Sequence, residues 1–147
     1  MRRNRNGFSL IEMMIVLAII TVLTAIVMPN FRSLQNRAKR SEVPSNVDGI
    51  KMAELAYDAA FDTYLSLAPA PDSTPGKQFR NWNHPTDFVQ LGWMPDGQVR
   101  GSYSVDAVSG DYTVHGASDV DEDGVQANYT ATSSVNATLA AGDEQAY

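Results

Sequence analysis

From Phe8 to Met28 the chain runs for 21 residues with one charged side chain, Glu12. The whole stretch, Gly7 to Pro29, reads GFSLIEMMIVLAIITVLTAIVMP. At about 1.5 Å of helical rise per residue it extends roughly 32 Å, enough to cross the hydrocarbon core of a bilayer. It is too long for an ordinary core helix and for the apolar part of a signal peptide. It is apolar all round, so it needs apolar surroundings on every face.

Glu12 is the anomaly. A carboxylate in a hydrophobic span costs roughly 2.5–3.5 kcal/mol or more, which marks it as a functional candidate. Its own segment carries no cation, and the charges upstream are Arg2, Arg3 and Arg5. The plain alternative is a carboxylate reaching the nearby interface, since Phe8 is one turn away. Charge does not orient the span. Three arginines precede it, and Arg32, Arg37, Lys39 and Arg40 follow it.

Read in order, a short basic leader ends at Gly7, and Phe8, Ser9, Leu10, Ile11 and Glu12 open a long apolar helix that continues to Pro29 and Asn30. This resembles the type IV prepilins and the related pseudopilins of type II secretion, over about a fifth of the chain. The resemblance implies cleavage between Gly7 and Phe8 by a membrane peptidase that also methylates the new amine. It implies that Glu12 faces the Phe8 ammonium of a neighbouring subunit during assembly, which supplies the missing partner. It implies a cytoplasmic N-terminus, with the rest of the chain outside. Its partners are then the bilayer, the peptidase/methyltransferase, the inner-membrane pilus assembly machinery, and identical or related pilin subunits.

The chain has 147 residues, room for one modest domain beside the anchor. It has no cysteine, so an exterior domain relies on packing. Many pilins close their C-terminal region with a disulfide, and this chain lacks the means. The net charge of −6 becomes −9 if Arg2, Arg3 and Arg5 are lost. From Glu54 onward 14 acidic residues face three basic ones, Lys77, Arg80 and Arg100, which argues against nucleic-acid binding by this surface.

Pro29 is expected to kink or loosen the helix. Residues 30–65 read as an amphipathic continuation, with Ile50, Ala53, Tyr57, Ala60, Phe61 and Tyr64 in one stripe and Lys51, Glu54, Asp58 and Asp62 opposite. A second kink is expected near Pro44. Arg32, Arg37, Lys39 and Arg40 form a basic cluster past the span, suited to lipid phosphates or to the acidic domain of a neighbour. Residues 66–98 read as a loop, because Pro69, Pro71, Pro75 and Gly76 exclude regular structure from its first half, with a helical turn over Asp87 to Leu91. Residues 99–139 read as an antiparallel meander. Val99, Gly101, Tyr103, Val105 and Ala107 alternate, then Tyr112, Val114 and Gly116, then Val125, Ala127, Tyr129 and Ala131. Val135 to Leu139 adds an edge strand, and residues 140–147 are a tail. The fold class is α+β: a long N-terminal helix packed on a small antiparallel sheet.

The one ligand-like stretch is Asp119-Val-Asp121-Glu-Asp123-Gly124. Alternate carboxylates followed by glycine match the start of a calcium loop. Thr130 stands where an EF-hand has glutamate, so the motif is half complete, and a plain acidic turn is the alternative. Asn128-Tyr-Thr130 and Asn136-Ala-Thr138 match the N-glycosylation pattern, which strand or turn polarity also explains. His84 and His115 are isolated, and there is no Ser/His/Asp grouping, phosphate loop or zinc spacing in the sequence. A non-enzymatic role follows.

Together these readings give a leader (1–7), a transmembrane and assembly helix (8–29) and an extracytoplasmic head (30–147). The function expected is a type IV pilus subunit, anchored in the inner membrane as a prepilin and then moved into an extracellular filament. Ala18, Thr21 and Ala25 on one face permit close helix approach there, and Met13, Met14 and Met28 adapt to lipid and to protein. Two alternatives stand beside it, a type II secretion pseudopilin and a membrane-tethered calcium- or ligand-binding module.

Overall fold

A computed structural model of the chain describes residues 7–83 and 85–146. Residues 1–6 of the leader, His84 and Tyr147 fall outside these residues. Two compact units result, residues 1–35 and residues 36–147.

In the first unit, helix α1 (Leu10–Arg40, whose last turns belong to the second unit) continues through Pro29, so the expected loosening there is not a break. Its apolar side chains are unburied, from Leu10, 79% exposed, to Phe31, 61% exposed. Thr21 and Thr24 donate their hydroxyls to the carbonyls of Leu17 (2.7 Å) and Ile20 (2.8 Å), so their polar atoms are satisfied within the helix.

The second unit is a helix on a sheet. Helix α2 (Glu42–Phe61) follows Ser41, whose backbone stays helical at φ −61°, ψ −15°. The interruption falls three residues before Pro44. Pro44 has no N–H to return to the carbonyl of Arg40, so the ladder lapses there while the backbone stays helical. The sheet has the order β1-β4-β5-β6-β7, antiparallel throughout: β1 (Leu67–Ala70), β4 (Ser102–Val108), β5 (Asp111–Ser118), β6 (Ala127–Thr132) and β7 (Thr138–Leu139). A separate ribbon pairs β2 (Arg80–Asn81) with β3 (Gln98–Val99), and α3 (Thr86–Leu91) lies between them in sequence. Gly92 ends α3 in the left-handed conformation at φ +79°.

The core sits between α2 and the inner face of β4, β5 and β6. Val43, Val47 and Ile50 are fully buried against Tyr103, Val105, Tyr112, Val114 and Ala131. Gly116 lets the helix come this close: a Cβ there would lie 2.5 Å from Val47 Cγ2 and 2.9 Å from Val43 Cγ1. Trp82, Phe88, Trp93 and Tyr103 close one end with ring centroids 5.0–6.4 Å apart.

Five details differ from the sequence reading. Residues 67–70 are a strand despite Pro69, because β1 is an edge strand whose only registered residues, Leu67 and Ala70, flank an irregularity that leaves Pro69 outward. The core face of α2 is Val43, Val47, Ile50, Lys51 and Glu54, so Lys51 and Glu54 are inside while Ala60 and Phe61 are exposed. The counted stripe began too late, at Ile50, and drifted around the helix. The strand expected over 99–107 splits at Arg100 and Gly101 into β3 and β4. Val125 is 54% exposed and precedes β6. The C-terminal segment is no loose tail. A 3₁₀ turn at Asp143–Gln145 leads to buried Ala146, and the Asp143 carboxylate accepts the Asn128 N–H at 2.9 Å.

Candidate assembly and processing site

Gly7 and Phe8 lie in exposed, non-helical chain just ahead of α1. A Cβ built on Gly7 meets nothing within 4 Å, so the fold itself makes no demand for glycine there. Phe8 is 83% exposed.

Ser9 and Glu12 form a reciprocal cap on α1. The Glu12 carboxylate accepts the Ser9 N–H and the Ser9 hydroxyl, both at 2.7 Å, through Oε2. The Glu12 N–H returns to Ser9 Oγ at 3.3 Å. This is a capping box, Ser-x-x-Glu, and it satisfies donors that the first turn of a helix leaves free. The carboxylate thus has a partner in its own chain, a neutral one and not a cation. The signal was present in the spacing of Ser9 and Glu12.

Of the basic cluster, Arg32 and Arg37 are exposed and Lys39 is half-buried. Arg40 is not a lipid-facing cation. It is buried, its Nη1 donates to the carbonyls of Asp143 (3.2 Å) and Ala146, and its guanidinium lies 5.9 Å from the Tyr129 ring centroid.

The acidic turn is partly convergent. Asp119, Asp121 and Asp123 each bring one carboxylate oxygen within 4.8 Å of the others. Asp119 Oδ1 and Asp121 Oδ1 are shielded from solvent and have no hydrogen-bond partner. Asp119 Oδ2 accepts the Gly124 N–H and Asp123 Oδ1 the Val125 N–H, which shape the turn. Glu122, at φ +58°, points elsewhere and meets the Lys77 N–H (3.0 Å) and ammonium (3.5 Å). Thr130 is in β6, opposite His115 and Thr138, and does not belong to the turn. The three oxygens are spaced as ligands about 2.3–2.6 Å from one calcium ion would be.

Two further charged groups were missed. Glu54 is fully buried; its Oε2 accepts the Leu65 N–H at 3.0 Å, while Oε1 has no partner. Desolvation pushes its pKa up, against the Leu65 hydrogen bond. Lys51, also buried, donates to Asn136 Oδ1 at 2.9 Å. On the outer sheet face the fold sets Ser104 opposite His115, beside Asp106, a grouping invisible in the sequence. His115 Nε2 bonds Asp106 at 3.2 Å, so the nitrogen a hydrolytic triad would aim at serine is turned to the carboxylate.

Residues 2–28 match the family described as the prokaryotic N-terminal methylation motif. Among curated proteins the chain is similar to the type IV major pilin protein PilA of Myxococcus xanthus, 36% identical over 80% of this chain and 44% of that one. It is similar to type II secretion system core protein G of Pseudomonas aeruginosa, 32% identical over 56% of this chain and 61% of that one. It also resembles the type IV wide pilus major component PilA4 of Thermus thermophilus, 38% identical over 44% of this chain and 49% of that one. The matched motif and these relatives make the chain similar to type IV pilins and to type II secretion pseudopilins. It spans about half the length of the curated relatives it matches. In this chain the matched residues include the exposed Gly7–Phe8 bond, the Ser9–Glu12 cap and the apolar part of α1. The acidic turn, the buried Glu54 and the Lys51–Asn136 pair lie beyond the motif.

Proposed function

We propose that the chain is the structural subunit of a type IV pilus, made as a membrane-anchored prepilin, cleaved after Gly7, N-methylated at Phe8 and polymerised through α1. The observation that carries this is the contrast within one chain: a self-contained head follows an apolar helix with no burial at all. Lipid covers that helix in the monomer, and neighbouring copies cover it in the filament. Both surroundings are apolar, so the transfer between them does not oppose the hydrophobic term. A subunit repeated by a non-closing operation makes a filament.

On this reading Glu12 exchanges its Ser9 donors for the Phe8 ammonium of a neighbour once cleavage frees that amine. The N-terminus is cytoplasmic, the head is outside, and the role is structural, not enzymatic. Calcium at Asp119, Asp121 and Asp123 belongs to the same proposal, supported by the convergence of the three carboxylates. The test is negative-stain microscopy of the sheared surface fraction. Filaments containing this chain are expected, and a chain confined to the membrane would overturn the reading.

A pseudopilin is the second reading, favoured by the larger covered share of the secretion protein, 61% against 44% for the Myxococcus pilin. Deletion separates the two. Loss of surface filaments with secretion intact supports the pilus, and loss of secretion supports the pseudopilus.

A further inference from the structure

Lys51 lies on the core face of α2 with 6% of its surface exposed. Among the described residues no carboxylate comes within ion-pair distance of its ammonium. Burying a cation without a counter-charge is costly, and a buried lysine is usually paired. Its partner is instead a carboxamide, Asn136 Oδ1 at 2.9 Å. Both ends of this contact are held. The Lys51 carbonyl accepts the buried Tyr112 hydroxyl at 3.0 Å, and Asp48, one helical turn before Lys51, accepts the N–H of Ala137, next to Asn136, at 2.7 Å. With a C=O bond of about 1.23 Å, the 2.9 Å contact leaves Nζ about 3–4 Å from the carboxamide carbon, at the edge of attack distance.

We propose that Lys51 and Asn136 are a modification site, joined in the mature head by a self-formed isopeptide bond. Nζ attacks Cγ of Asn136. The Nζ–Cγ bond forms, the Cγ–Nδ2 bond breaks, and the carboxamide nitrogen leaves as ammonium with the protons the lysine gives up. Atoms and charge balance with no oxidant or second substrate. The reaction exchanges a buried cation for a neutral amide. It ties α2 to the segment before β7 across 85 residues of chain, a covalent closure in a molecule without cysteine. The inference concerns the head alone and does not depend on filament assembly.

The test is the intact mass of the full chain extracted in detergent, followed by sequencing of its proteolytic fragments. Expected is a chain lighter by one ammonia, a branched fragment joining Lys51 to Asn136, and protection from trypsin after Lys51. The Lys51→Arg variant keeps a donor for Asn136 but has no equivalent nucleophile, and is expected to show the full mass. A wild-type chain of unmodified mass, separate fragments bearing free Lys51 and Asn136, or an ammonia loss mapping elsewhere would each overturn the proposal.

Discussion

Residues 10–35 and α2 are both helical and both carry valine, isoleucine and alanine, yet their side chains meet opposite surroundings. Ile19 and Ile20 are 54% and 53% exposed, whereas Ile50 has no exposed surface. The difference is one of company. α2 carries buried apolar residues at 43, 47 and 50, on one side, and the same chain supplies a sheet to cover them. The first unit is apolar on every side and its chain supplies no cover. The same residue types therefore stabilise the head directly, whereas on the proposed reading they stabilise the N-terminal helix only through lipid or other copies.

The largest expected effect lies before the helix. Gly7→Leu is expected to abolish cleavage and with it all surface filament. Since the fold leaves open space around Gly7, the head's thermal unfolding should not change. Mature mass and unfolding, measured together, check this. A product beginning at Phe8 in the variant would show that the cleavage site is misassigned.

Glu12 comes next. Its removal is expected to leave insertion and cleavage intact while assembled filament falls by roughly 150-fold to a few thousand-fold, the scale of about 3–5 kcal/mol for stranding a buried charge. Glu12→Gln and Glu12→Val distinguish two causes. Glutamine keeps much of the cap with Ser9, whereas valine loses it. Equal losses in sheared filament relative to membrane-bound subunit point to the charge. Normal assembly by Glu12→Gln would reduce Glu12 to a helix cap.

A third pair of variants makes one chemical change in the two regions. Ile50→Ala is expected to destabilise the head by about 2–5 kcal/mol, because it leaves a cavity against the sheet. Ile20→Ala should leave the head's unfolding unchanged and affect only filament stability. Thermal melts of the detergent-solubilised chain read the first, and resistance of sheared filaments to heat reads the second. A head melt that shifts with Ile20→Ala would break the separation.

Smaller effects come from charge in the head. The folded-state pKa of Glu54 lies above its ordinary 4.5, chiefly through burial. The folded head therefore holds that proton more tightly than the unfolded chain. Its stabilisation is complete below about pH 4.5 and is lost as pH rises through the folded value. Glu54→Gln is expected to flatten this limb and raise the melting temperature at neutral pH, as pH-dependent melts will show. Smallest is the acidic turn. Millimolar calcium is expected to raise the head's melting temperature by a few degrees, and Asp121→Asn to remove the shift. No heat of binding in calorimetry would leave an ordinary acidic turn.

What the sequence disclosed follows the range of the forces involved. The anchor, the cap residues and the alternation in β4, β5 and β6 are local patterns, and Tyr103, Val105, Tyr112 and Val114 fall inside as their period of two requires. Lys51 and Glu54 were misplaced because polarity was taken as exposure. Their burial depends on Asn136, 85 residues away, and on Leu65, past the end of the helix. β1 was hidden because proline is excluded from a strand only when its neighbours need the missing donor, and edge position is a tertiary fact. The convergence of Asp119, Asp121 and Asp123 was readable from their alternation, while the departure of Glu122 to Lys77 was not.

The grip of Arg40 on the C-terminal carbonyls sets a load path. Tension drawn along the last turn of α1 does not have to travel through residues 41–146 to reach the end of the chain. It passes directly from the guanidinium to Asp143 and Ala146, and from Asp143 to Asn128 in β6. The C-terminal end of the sheet is thus tied to the last turn of α1 by hydrogen bonds as well as by the chain between them. A pull that would peel the strands one after another must first shear several hydrogen bonds together. Arg40→Ala should lower the force at which a tethered head first yields far more than it lowers the melting temperature.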